Sequence, residues 1–287
     1  MKIVKNFKFK VKVIENEWIP LKDGTRLSAR IWLPLSEERV GAILEYIPYR
    51  KNDGTRGRDE PMHGFYSGNG YAVVRVDLRG SGESDGILED EYLKLEQDDA
   101  LEVIDWIGAQ KWSNGKIGMM GKSWGGFNSL QVAARRPRNL KAIVVVGFTD
   151  DRYNEDIHYK SGCLLNDNFW WGNIMLAYQS RFVDSKIDPQ GRAKWLRRLE
   201  AMPLFPALWL AHPLKDEYWR HGSVGEDYES IQIPVFAFDG WADSYTNPIF
   251  SLMRGLKVPR RAIIGPWRIF TLTMALLGRR WTFWAKP

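Results

Sequence analysis

Residues 121–126 read GKSWGG, which places a serine in the arrangement Gly121-x-Ser123-x-Gly125. Glycines two places to either side let a chain turn where larger side chains would collide, so the spacing suits a sharp corner with an exposed hydroxyl. A serine hydroxyl is a weak nucleophile until a base takes its proton, and the oxyanion made when it attacks a carbonyl needs hydrogen-bond donors. If a helix starts directly after Ser123, the backbone N–H of Trp124 is placed to be one of them. The chemistry implied is acyl transfer at an ester or amide. The base it requires has to come from somewhere, and the sequence holds four histidines: His63, His158, His212 and His221.

For that chemistry the serine must stand between a strand and a helix. KIGMMG (116–121) reads as a short strand running into Ser123, and residues 124–136 fit a helix stopped by Pro137. Two strands joined by a turn at Lys22-Asp23-Gly24 are expected over 8–34. AILEYI (42–47), YAVVRVDL (71–78) and KAIVVVG (141–147) are apolar runs of the buried kind. Ala100, Val103, Ile104 and Ile107 recur at helical spacing, which predicts a helix over 93–109. Between about 150 and 230 Trp, Tyr and Asn are dense and prolines recur at 189, 203, 206 and 213, so a mostly helical insertion is expected there. IPVFAFDGWAD (233–243) returns to strand, a helix follows near 245–256, and RRAIIGPW (260–267) is the last recognisable strand. Strand and helix alternating, with all-apolar strands, predict an α/β fold with a mostly parallel central sheet flanked by helices. The boundaries expected are a core over 1–149, a helical cap over 150–230, the rest of the core over 231–267, and a tail of different character over 268–287.

GKSWGGFNSLQVAARRP (121–137) resembles the nucleophile segment of the CocE/NonD family of α/β-hydrolases, which includes esterases, β-lactam acylases and relatives of X-Pro dipeptidyl-peptidases. IPYRK (47–51), DLRGSGESDG (77–86) and DGWADSYTN (239–247) resemble three further segments of that family, and the resemblance runs over about residues 8–267. It implies an α/β-hydrolase fold and a serine hydrolase that opens ester or amide bonds, X-Pro dipeptidyl bonds among them, with no metal or organic cofactor. It places the nucleophile on Ser123, the triad acid on Asp243, and the oxyanion donors on the Tyr49 hydroxyl and the Trp124 N–H. Other readings stand beside these. Tyr49 also fits a core tyrosine, Asp243 also fits a helix cap, and Asp239, nearer the strand end, is the rival acid. The family's esterases and acylases continue into a C-terminal β-sandwich, which is expected to be absent here.

The base is the difficulty. In this fold the triad runs serine, acid, histidine along the chain, and no histidine follows Asp243. The family's last core strand ends in G-P-W-x-H. This chain reads Gly265-Pro266-Trp267 and then Arg268-Ile269-Phe270, after which the likeness stops. Suitable codons for residues 268–287, read out of register after one lost base, restore G-P-W-x-H-I-Y-P-H, so the tail reads as a frame shift, with a divergent C-terminus as the alternative. An impaired hydrolase is therefore expected. The competing class is a non-catalytic protein of the same fold that binds small acyl compounds, or a gene remnant.

Composition closes off other classes. The net charge is +6, but residues 268–287 carry four bases and no acid, so the body is nearly balanced and a nucleic-acid partner is not expected. Gly80 and Gly82 follow a strand, yet the sixth position of a dinucleotide fingerprint is Asp85, which favours a tight loop over a nucleotide site. No apolar run approaches the roughly 18 residues of a membrane span. No signal peptide is evident, and the one cysteine, Cys163, suits a reducing, cytoplasmic setting. The partner expected is a small ester or amide, or a short peptide. Phe169, Trp170, Trp171 and Tyr178 suit an apolar acyl or aryl group, or simply helix core. Asp150, Asp151, Glu155 and Asp156 suit a substrate amine, or a solvated helix turn. Ester, amide and dipeptidyl substrates are not separated by the sequence.

Overall fold

A computed structural model describes residues 6–267. Strands β1 (Val11–Pro20) and β2 (Arg26–Pro34) form the expected antiparallel pair about the Lys22–Gly24 turn. There follow β3 (Val40–Ile47), α1 (Arg56–Gly68), β4 (Ala72–Asp77), α2 (Lys94–Ala109), β5 (Ser113–Lys122), α3 (Trp124–Ala134) and β6 (Leu140–Val146). A small hairpin, β7 (Tyr159–Lys160) and β8 (Cys163–Leu164), leads into α4 (Asp167–Gln179), α5 (Gly191–Ala201), α6 (Phe205–Leu210) and α7 (Glu217–Arg220). The chain then returns through β9 (Val235–Gly240), α8 (Thr246–Gly255) and β10 (Arg260–Gly265).

Eight strands make one sheet in the order β1-β2-β4-β3-β5-β6-β9-β10, antiparallel at β1, β2 and β4 and parallel from β4 onward. The apolar runs are buried on both faces because alternate side chains point to opposite sides. Val74 and Val76 of β4, Ile143 and Val145 of β6, and Val235 and Ala237 of β9 join the cluster built on α2, α3 and α8. Val73, Val144, Val146, Phe236 and Phe238 point the other way, into a smaller cluster with Met62 and Tyr66 of α1. Among the described residues no helix is long and apolar enough to cross a membrane.

Helix α1 is an addition to the sequence reading. Gly57, Pro61 and Gly64 weaken its local pattern, and tertiary contacts hold it instead. Its inner side carries a buried charge network. Glu45 of β3 accepts from Arg58 at 2.6 Å and contacts His63 Nε2 at 3.0 Å, and Arg75 of β4 lies 3.4 Å from Asp59 and 3.2 Å from Asp77. Burial opposes the charge on Glu45, but Arg58, then His63 and Arg75, outweigh it and bring the carboxyl down to about 2.

The loop after β4 is tight, as Gly80 and Gly82 suggest. A Cβ on Gly80 would lie 2.0 Å from the Leu88 nitrogen, and one on Gly82 the same 2.0 Å from Asp77 Oδ2. Helix α5 is pinned over this loop. Arg198 donates to the carbonyls of Gly82 (2.7 Å) and Ser84, and Lys194 to that of Glu83 at 2.8 Å. Burial, with Arg50 nearby, lowers the Arg198 guanidinium to about 10.

Removing Arg75 leaves Glu45, Asp59 and Asp77 short of a shared cation inside the protein. Arg75→Met is expected to cost about 3–5 kcal/mol in urea denaturation. A loss below about 1 kcal/mol would show that the remaining cations suffice, Arg58 on Glu45 and Asp59 and Lys51, whose charge and backbone N–H both favour ionised Asp77.

Candidate active site

Ser123 is the single residue between β5 and α3, and its backbone sits at φ 57°, ψ −123°. A residue with a Cβ in that region costs about 1–3 kcal/mol unless its surroundings hold it there. They do. The Ser123 N–H donates to the Val146 carbonyl of β6 at 2.9 Å, and its own carbonyl accepts from Gly126 (2.7 Å) and Phe127 (3.1 Å). Both flanking glycines are needed for contact. A Cβ on Gly121 would lie 2.4 Å from the Gly125 Cα, and a Cβ on Gly125 would lie 2.8 Å from Ile47. The side chain of Ser123 is half-buried, so it is not lost in packing.

Tyr49 follows β3 by two residues and reaches across. Its hydroxyl stands 3.5 Å from Ser123 Oγ, and the backbone N–H of Trp124 adjoins the same hydroxyl. Burial raises the Tyr49 hydroxyl above its ordinary value, against the lowering effect of Ser123 and the Trp124 N–H, so it stays a proton-bearing donor at neutral pH. Its ring is boxed in by Trp124 at 6.5 Å, Trp171 at 6.2 Å and Tyr178 at 5.5 Å between centroids.

Asp243 lies in the loop between β9 and α8. That loop opens on the same edge of the sheet as Ser123, because β6 bridges the two: Ser123 N–H bonds Val146 O, and Gly147 N–H bonds Phe238 O of β9. Asp243 is half-buried and its Oδ1 accepts from the Tyr245 N–H at 3.1 Å. Asp239, the rival acid, is fully buried at the end of β9. One oxygen accepts from Gly240 N–H at 2.8 Å, and Oδ2 has no hydrogen-bond partner among the described residues. Burial, and then the charge of Asp243, push the Asp239 carboxyl up to about 7.

Each of the four histidines is engaged elsewhere. His63 lies on the buried face of α1 against Glu45. His158 is buried in the cap, with Nδ1 2.8 Å from Asn168 Oδ1 and Nε2 2.8 Å from Glu91. Burial lowers its pKa, but Glu91 raises it further, so the net shift is upward. His212 pairs with Asp216 at 2.6 Å, and His221 contacts the Tyr92 carbonyl at 2.9 Å. The motif reading after Trp267, with the tail over 268–287, falls outside the described residues.

The cap contributes a wall of aromatic rings and acids. Of the aromatic residues named from sequence, Trp171 and Tyr178 turn in on Tyr49, whereas Phe169 and Trp170 are 67% and 53% exposed. Of the acids, Asp150 bonds the Tyr228 hydroxyl, Asp151 pairs with Lys215 at 2.8 Å and Glu155 with Lys160 at 3.3 Å. Asp156, buried like Asp150, is the one of the four with an unpartnered buried oxygen among the described residues: Oδ1 accepts from the Tyr245 hydroxyl at 3.1 Å, and Oδ2 has no partner. Burial pushes its carboxyl up to about 6, against His158. Among the buried acids that escaped the sequence reading, two bond the tryptophans at 171 and 124. Glu91 binds His158 and the Trp171 indole, and Glu96 binds the Trp124 indole. Both sit in EDEYLKLEQDD, an acidic stretch that reads as solvated surface. Glu45, Asp59 and His63 bring three ligand-type atoms within 4.8 Å of one another, but Arg58 and Arg75 already hold the carboxylates.

Residues 23–268 match the family described as X-Pro dipeptidyl-peptidase (S15 family). The chain is 26% identical to the cocaine esterase of Rhodococcus sp. (strain MB1 Bresler), over 91% of this chain and 50% of that protein. It is 33% identical to a putative Xaa-Pro dipeptidyl-peptidase of Streptomyces avermitilis over 62% of this chain and 26% of the other. A crystal structure of a CocE/NonD family hydrolase from Staphylococcus aureus superposes with a TM-score of 0.75 at 22% identity, covering 93% of this chain and 48% of that one. The chain thus spans about half the length of the cocaine esterase or less of such relatives. It belongs to the X-Pro dipeptidyl-peptidase (S15) family of hydrolases.

The two kinds of glycine give a direct test of the corner. Gly121→Ala forces a Cβ into Gly125 and is expected to cost about 1–3 kcal/mol in chemical denaturation. Gly57→Ala, in α1 with nothing within 4 Å of the new carbon, is expected to be neutral or to stabilise by about 0.5–1 kcal/mol. Equal stability of the two variants would mean that the contact between Gly121 and Gly125 does not shape the turn.

Proposed function

We propose that this member of the S15 family carries a serine acyl-transfer site for esters or amides, and that the chain of 287 residues turns it over slowly for want of a base. The observation that carries the reading is Ser123 held at φ 57° with its Oγ 3.5 Å from the Tyr49 hydroxyl. Ser123 Oγ attacks the carbonyl carbon while its proton leaves to a base. The Tyr49 hydroxyl and the Trp124 N–H donate to the oxygen as it becomes negative, and the base returns the proton to the leaving group. Water then releases the acyl group. Asp243 is the carboxylate assigned to orient the base. No histidine follows it in the sequence, and the four that precede it are bound elsewhere. Loss of one triad member typically removes about six orders of magnitude in rate.

The unpartnered Asp156 oxygen, close to Glu91 and Tyr245, supports an acyl group that carries a protonated amine, as the dipeptidyl-peptidases among the relatives suggest. The aromatic box of Trp171 and Tyr178 suits an apolar side chain on that acyl group. The lone cysteine, Cys163, is exposed, which supports a reducing compartment such as the cytoplasm. The non-catalytic reading, a fold that binds acyl compounds without turnover, is favoured by the same shortage of a base.

Chemical rescue separates the two. Added imidazole is expected to accelerate labelling of Ser123 by a fluorophosphonate, with no labelling in Ser123→Ala and a slower rate in Tyr49→Phe. Failure of imidazole to promote labelling would favour the non-catalytic reading, whereas ordinary esterase rates on p-nitrophenyl butyrate without imidazole, lost in Ser123→Ala, would overturn the impairment. The amine subsite has its own readout. Preference for aminoacyl over plain acyl p-nitrophenyl esters in imidazole-supported acylation is expected to hold while Asp156 is ionised and to fade as pH falls through about 6. Asp156→Asn should abolish the preference at every pH.

A further inference from the structure

Glu96 is buried near the start of α2, and no cation is bonded to it among the described residues. Three N–H donors converge on its carboxylate. The Trp124 indole Nε1–H donates at 2.8 Å and the Asn128 side-chain amide at 3.0 Å, both to Oε1, and the Tyr92 backbone N–H donates to Oε2 at 3.1 Å. Reaching back to Tyr92 is what a glutamate in the first turn of a helix does as a cap. A cap has no use for the other two donors, which come from α3.

Each donor leads to a part of the site. Trp124 carries the backbone N–H beside the Tyr49 hydroxyl, and its side chain is fully buried, so fixing the indole fixes the peptide that precedes it. The Asn128 amide also donates to the Tyr46 carbonyl of β3 at 2.7 Å, three residues before Tyr49. Tyr92 stands at φ 55°, a conformation unusual for a residue with a side chain, and adjoins Glu91 in the cap-facing wall. The Tyr92 ring packs on Trp124 at 4.8 Å and stacks on Phe127 at 5.1 Å.

We propose that Glu96 is a positioning residue: through Trp124, Asn128 and Tyr92 its carboxylate sets the oxyanion donors of the Ser123 corner and the Glu91 wall in one geometry. This rests on reading Ser123, Tyr49 and Trp124 as the acyl-transfer site. Glu96 itself touches neither Ser123 nor Tyr49. The three bonds are strongest to an ionised carboxylate, because charge strengthens both oxygens as acceptors and a proton on Oε2 weakens its bond from the Tyr92 N–H. Burial raises this carboxyl to about 7, against the hydrogen bonds from Trp124, Asn128 and Tyr92. The titratable groups around it are Glu89, Asp90 and Glu91 of the preceding loop, Asp99 one turn on, Tyr46 of β3 and Arg79 after β4. The Tyr46 hydroxyl has no partner among the described residues and shares with Glu96 the wall of a cavity of about 20 Å³, room for one water.

The test joins a spectroscopic readout to a chemical one. In the unmodified protein labelled with nitrogen-15, the Trp124 indole resonance, assigned by its loss in Trp124→Phe, is expected to titrate near pH 7 together with the Trp124 and Tyr92 backbone amides. Glu96→Gln, which keeps the volume but replaces one acceptor by a donor, should abolish that titration and slow imidazole-supported fluorophosphonate labelling roughly 10- to 100-fold. In a Trp124→Phe background the same substitution should add little further loss, since the shared bond is already gone. Titration of the indole with unchanged labelling in Glu96→Gln would overturn the positioning role, and so would full additivity of the two substitutions. If the unmodified protein is not labelled even with imidazole, the acyl-transfer reading fails. Concerted or independent movement of the three resonances then decides whether Glu96 couples these elements. That titration needs no variant, so it also decides the matter should Glu96→Gln fail to fold.

Discussion

The backbone of Ser123 is the constraint from which the site follows. A residue with a Cβ is held at positive φ between a strand and a helix, and the strain is carried by hydrogen bonds to Val146, Gly126 and Phe127. Only because Gly121 and Gly125 can touch does α3 begin immediately after the serine. An abrupt start brings the Trp124 N–H to the same side as the serine hydroxyl, and the parallel register of β5, β6 and β9 delivers Asp243 to the same edge of the sheet. The placing of Ser123, the Trp124 N–H and Asp243 on one edge is thus a consequence of one corner and one sheet.

Around that corner the protein uses buried charge in two different ways. Under α1, Arg58 and Arg75 neutralise Glu45, Asp59 and Asp77, and the carboxyl of Glu45 falls to about 2. Such a network fixes structure, since removing one member strands the others. In other buried acids the balance tips the other way. Asp156 is pushed up to about 6, and Glu96 and Asp239 to about 7, with burial the leading cause in each. Asp150, bonded to Tyr228, is likewise raised to about 6. Arg198 holds the cap over the β4 loop through backbone carbonyls, and Lys194 through the Glu83 carbonyl and the carboxylates of Asp85 and Asp188.

Legibility in the sequence followed the kind of force involved. The strands β3, β4, β5, β6 and β9 and the helix α2 were readable because burial on two faces, or on one helical stripe, leaves a period. Helix α1 left none: Gly57, Pro61 and Gly64 oppose it locally, and it is held by Met62 and Tyr66 and by charges from β3 and β4 distant in sequence. Ser123 was readable because a local steric demand leaves glycines at fixed spacing. Glu91 and Glu96 were not, since an acid ahead of a helix looks alike whether it meets water or an indole from residue 171 or 124. Among the four acids from Asp150 to Asp156, sequence could name the group but not the member whose neighbours leave it a buried oxygen without a hydrogen-bond partner among the described residues.

The corner and the base rest on separate causes. The turn at Ser123 is held by glycine contact, sheet register and the carboxylate of Glu96, and none of these involves a histidine. A chain in which no histidine follows Asp243 can therefore keep a strained, half-buried serine with its donors in place. Strain at this position belongs to the fold and not to turnover. It follows from how β5 and α3 pack here, so a serine in this geometry does not by itself establish a rate.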